Sequence, residues 1–126
     1  MKPKPVRGIE NLDLNKQYFE VGALNPSCMW IDAVLRITGE PFVPSYCKER
    51  GENKIFFIPT QRRGSAYEIS LHISLHDYFV IGEEPYNNHR LFEYTPEAYA
   101  FLKDLVERGA FEEYRELIGS THPAHS

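Results

Sequence analysis

Residues 66–76 alternate without a fault. Tyr67, Ile69, Leu71, Ile73 and Leu75 fall on one side, and Glu68, Ser70, His72, Ser74 and His76 on the other. A period of two over this length predicts a strand with one face on a core and the other carrying hydrogen-bonding groups. Shorter apolar runs predict further strands at residues 54–59 and 78–81. Gln61-Arg62-Arg63-Gly64 reads as a turn, and residues 89–94 read as the antiparallel return of 78–81 across the turn formers Gly82 to Asn88. Residues 15–21 fit either a short strand or a helical turn.

Helical spacing appears in three places. Asn25-Pro26-Ser27 reads as a helix start, and Trp30, Ile31, Val34, Leu35 and Ile37 then follow as an apolar face that Gly39 would stop. Thr95-Pro96-Glu97 supplies a cap, a first-turn proline and an early negative charge. Ala98, Phe101, Leu102, Leu105 and Val106 recur behind it up to Gly109. Phe111, Tyr114, Leu117 and Ile118 make a shorter helix ending near Gly119. The expectation is a single α+β domain over residues 9–119. Its antiparallel meander of three to four strands packs against one helix in the N-terminal half and two C-terminal helices. These helices would cover the face of Tyr67, Ile69, Leu71, Ile73 and Leu75. Residues 1–8, with Pro3 and Pro5, read as a flexible arm, and 120–126 as a disordered tail.

Composition narrows the function classes. A chain of 126 residues with 42% hydrophobic and 25% charged positions is long enough to bury a core without a metal or disulfide. The net charge of −4 is uneven, with Lys2, Lys4 and Arg7 at one end and a second basic stretch over residues 48–63, with Lys48, Arg50, Lys54, Arg62 and Arg63. That is no field for nucleic acid, and a mildly acidic body suits a protein partner, a basic one included. Cys28 and Cys47 are too few for a disulfide scaffold, which leaves a cytoplasmic protein as the expectation. No apolar run reaches membrane-spanning length.

Three candidate chemistries remain. The polar side of the long strand, Glu68, Ser70, His72 and Ser74, joined by Glu93, is a candidate binding row for a small ligand or a partner. His72 and His76 would stand about 13 Å apart on a strand, too far to share one metal without cross-strand ligands such as Glu93 or His89. No metal or other cofactor is therefore expected. Cys28, at the start of the expected helix, would gain nucleophilicity from the helix amides, with His76 as base and Asp77 orienting it. Residues 28–35 loosely resemble the nucleophile helix of papain-like cysteine proteases, where a cysteine opens an aromatic-containing apolar helix. The resemblance implies a cysteine hydrolase, although Met29 stands where that family has an aromatic. Against it stands a packed, inert Cys28. The leading expectation is a non-catalytic binding protein recognising a macromolecular partner, such as an inhibitor of the toxin-immunity or antitoxin kind.

Overall fold

The computed structural model describes residues 2–7, 11–43, 45–51, 57–63, 68–73, 79–80 and 88–120. The chain order is β1 (Gln17–Asn25), β2 (Cys28–Ile31), β3 (Leu35–Ile37), α1 (Ser45–Glu49), β4 (Phe57–Arg62), β5 (Glu68–Ile73), β6 (Phe79–Val80), β7 (Arg90–Glu93), α2 (Pro96–Arg108) and α3 (Phe111–Ile118). It is an α+β chain with one antiparallel sheet. The path runs β2-β1-β3-β4-β5-β6, and β7 pairs with β1. Since β6 comes back alongside β7, the path curls on itself.

The helix expected after Asn25 is instead a β-hairpin. Pro26 disfavours helical geometry at the residue before it, and the Asn25 side-chain oxygen accepts the Ser27 N–H at 2.9 Å, closing a tight turn. Cys28 to Ile31 then pair back along β1, with Gly22 opposite Trp30 and Val21 opposite Ile31. The apolar positions of residues 30–37 fit both periods, and β-branched Ile31 and Ile37 pack well on a pleated surface. The only helix among the described residues of the N-terminal half is the single turn α1.

Two further expectations change. β7 pairs with β1, from Tyr18 opposite Glu93 to Val21 opposite Arg90, and among the described residues it lies beside β6 without sharing a ladder with it. Gln61 and Arg62 belong to β4, so the turn begins at Arg63. The long alternating strand is present as β5, with residue 71 opposite Ile58 and residue 69 opposite Thr60. The expected burial of its odd-numbered side chains lies outside the described residues, as do Tyr67, Leu75 and the segment 121–126.

β1 is buried on both faces, which is why its sequence shows no alternation. Phe19, Val21 and Ala23 face the helices and join Phe92, Leu102, Leu105, Phe111, Tyr114 and Ile118 in one core. Tyr18 points the other way, into a second core with Leu35, Ile37, Ile58 and Leu91. The described helices thus cover β1, β2 and β7, a different surface from the β5 face expected to receive them.

Both C-terminal helices follow their sequence signals. Thr95 Oγ1 accepts the Ala98 N–H at 3.0 Å, and Gly109 ends α2 in the left-handed conformation at φ 63°. A Cβ there would stand 2.7 Å from the Pro26 carbonyl oxygen, so this glycine lets the helical corner rest on the hairpin turn. The N-terminal arm is laid along β7: Pro5 bridges Phe92, and the Val6 N–H donates to the Leu91 carbonyl at 2.7 Å.

Candidate functional site

The inner face of β1 carries Tyr18, then Glu20, then Gly22. Tyr18 sits in the apolar inner core, and at Glu20 the inner face turns polar. Register brings the other members in. Leu35 is opposite both Tyr18 and Arg62, and cross-strand partners share a face, so Arg62 at the end of β4 lies on the inner side. Leu91 is opposite Glu20, which places His89, two residues earlier, on that side as well. Asp32 follows β2, and its N–H donates to the Glu20 carbonyl at 2.9 Å.

These four side chains converge. Arg62 Nη2 lies 3.1 Å from Glu20 Oε2 and 3.5 Å from Asp32 Oδ2, and His89 Nε2 is 3.5 Å from Glu20 Oε2. The Glu20 and His89 side chains are 1% and 5% exposed, whereas Arg62 and Asp32 are each 32% exposed and open the cluster to solvent. The Trp30 ring closes another side, its centroid 6.0 Å from that of His89, lying directly against Gly22. Glu20 Oε1 is buried and takes no hydrogen bond among the described residues. Burial raises the Asp32 pKa above the usual carboxylate value. Arg62 opposes this, while the adjacent Glu20 charge adds to it. Two carboxylates facing one guanidinium leave a negative charge that a proton or a cation can balance. Glu20, Asp32 and His89 each offer a ligand atom, all within 4.8 Å of one another.

The candidate residues named from sequence lie elsewhere. Cys28 is exposed at the first position of β2, so it neither packs inertly against Trp30 nor stands at a helix N-terminus. His76, Asp77 and Ser74 lie outside the described residues. Glu68, Ser70 and His72 are positions of β5, opposite Gln61, Pro59 and Phe57. Glu93 is exposed at the end of β7, 3.3 Å from Lys16 Nζ, and does not join the cluster. Only His89, named as a cross-strand ligand, belongs to it. Glu20 left one legible signal, a lone carboxylate inside the apolar run Tyr18-Phe19-Glu20-Val21-Gly22-Ala23. Arg62 left none, because Gln61-Arg62-Arg63-Gly64 carries the local signal of a turn.

A second feature extends the polar row. Glu68 is opposite Gln61, Gln61 opposite Arg36, and Arg36 opposite Gln17, so one row crosses β5, β4, β3 and β1. Arg36 Nη2 donates to Gln61 Oε1 at 2.7 Å, and Arg63 Nη2 donates to Gln17 Oε1 at 3.0 Å. Both arginines are exposed, and Arg63 also lies over the Tyr94 ring at 5.5 Å. They border a depression of about 280 Å³. No helix of the described residues is long and apolar enough to cross a membrane. No family model, curated protein or solved structure matches this chain.

Proposed function

We propose that this chain is a non-catalytic binding protein that recognises a macromolecular partner through the polar row of its sheet. An inhibitor of the toxin-immunity or antitoxin kind is the class that fits. The observation that carries the reading is the line Gln17–Arg36–Gln61–Glu68 with Arg63 beside it. The two guanidiniums are hydrogen-bonded to neutral glutamine oxygens, and no carboxylate among the described side chains pairs with either. Exposed guanidiniums held in fixed positions by glutamines suit carboxylates on a partner surface, because a guanidinium fork matches a carboxylate in two hydrogen bonds. The complementary patch is therefore acidic, although the whole chain, at −4, favours a basic partner.

Affinity capture from the native host tests this. The wild-type chain should retain one partner whose association slows as salt rises. The double variant Arg36→Glu, Arg63→Glu should lose that partner while keeping its circular dichroism. Equal retention by the variant, or no partner retained by the wild type, sinks the reading.

A further inference from the structure

We propose that Glu20, Asp32 and His89 form a binding site for one divalent transition-metal ion, and that Arg62 is the counter-charge this ion displaces. Two carboxylate oxygens and one imidazole nitrogen suit Zn²⁺ or Co²⁺, since imidazole favours the later first-row ions. The ligands come from three separate segments held by strand pairing: Glu20 within β1, Asp32 after β2 and His89 before β7. Their ligand atoms already lie within 4.8 Å, so an ion with bonds of about 2.1 Å needs only small rotamer changes to reach all three.

A second observation points to a ligand independently of the cluster's composition. Glu20 is fully enclosed, its side chain 1% exposed, yet Oε1 accepts no hydrogen bond among the described residues. A buried carboxylate oxygen is normally satisfied, because desolvation without a partner is costly. Arg62 meets the demand in part, since its Nη2 is shared between Glu20 and Asp32. Arg62 ends its strand with a third of its side chain exposed, so the guanidinium can swing into solvent and vacate the space between the carboxylates. A divalent ion there brings two positive charges where the arginine brings one. Asp32 and Arg62, each with a third of its side chain exposed, give it a route from solvent.

The site is distinct from the polar row, and its test does not depend on any partner. The metal-stripped full chain is titrated with Co²⁺, read by its visible absorption, and with Zn²⁺ in competition. One Co²⁺ per chain should bind and be displaced by Zn²⁺. Asp32→Asn, at a position whose side chain is a third exposed, should weaken binding at least tenfold, and Glu20→Gln should abolish it. Arg62→Gln should tighten binding several-fold, the opposite sign, because the resident cation is gone. If Glu20→Gln does not fold, the Asp32 and Arg62 variants still decide the matter. Absence of binding, binding indifferent to Asp32→Asn, or weaker binding by Arg62→Gln would each overturn the proposal. The last result would make Arg62 part of a permanent ion-pair network.

Discussion

Gly22→Ala is the most informative single substitution, because two effects of opposite sign meet there. Glycine in a strand interior costs about 0.5–1 kcal/mol relative to alanine through lost backbone entropy, so alanine should stabilise. Against that, a Cβ at position 22 would stand under 3 Å from Cζ2, Cε2 and Cη2 of Trp30. No rotation of a flexible chain end relieves this contact, since the obstruction is the rigid indole itself. The ring must tilt away, and it already stands in edge contact with the His89 ring, 6.0 Å between centroids. Overpacking of this kind typically costs about 1–3 kcal/mol. The clash wins, for a net loss of about 1–2 kcal/mol, or very roughly 4–8 °C in Tm for a chain of this size. Trp30 is the single tryptophan, so its fluorescence should also shift as the ring leaves Gly22. The decisive assay is a double-mutant cycle by urea denaturation. In a Trp30→Ala background the obstruction is absent, and Gly22→Ala should become neutral or stabilising by up to about 0.5–1 kcal/mol. An equal loss in both backgrounds, or a gain in the wild type, would refute the assignment of this glycine to the indole.

Tyr114→Phe should lower stability by about 1–2 kcal/mol, seen as a lower urea midpoint with unchanged slope. The buried hydroxyl donates to the Asn88 carbonyl at 2.6 Å and lies 3.1 Å from that of Val21, so an unmoved midpoint would contradict the bond's role. Alkaline titration should unfold the chain. Burial raises the pKa of both Tyr18 and Tyr114; at Tyr18 the Asp13 N–H opposes it, and at Tyr114 the charge of Arg90 does. Their folded pKa values lie above the unfolded value of about 10, so their contribution is fully present below pH 10 and lost as pH rises through the folded values. Phenolate absorbance for these two tyrosines should appear together with loss of circular dichroism, and full titration with the fold intact would contradict this. Cys28, exposed at the hairpin, should react with iodoacetamide in the native protein, and protection until unfolding would show that the hairpin is wrongly placed.

The sequence by itself determined what local chemistry decides. Thr95-Pro96 and Gly109 delimit α2, because a cap, a proline and a left-handed glycine act within a few residues of themselves. Alternation determined that residues 68–73 are extended, since a half-polar strand writes its period into the chain. Tertiary structure alone decided the rest. Residues 28–37 satisfy a helical and an extended pattern alike, and pairing with β1 chose between them. β1 itself had no readable period, because helices bury one of its faces and the inner core the other. The partner of β7 depended on how the sheet curls, which short-range turn signals do not encode. The cluster was illegible for the same reason. Glu20 and Asp32 are joined by a strand pair, Arg62 arrives by register through β3, and His89 arrives across β7. A lone carboxylate in an apolar run signals a buried charge, but the groups that answer it come from positions up to 69 residues away, gathered only when the strands pair.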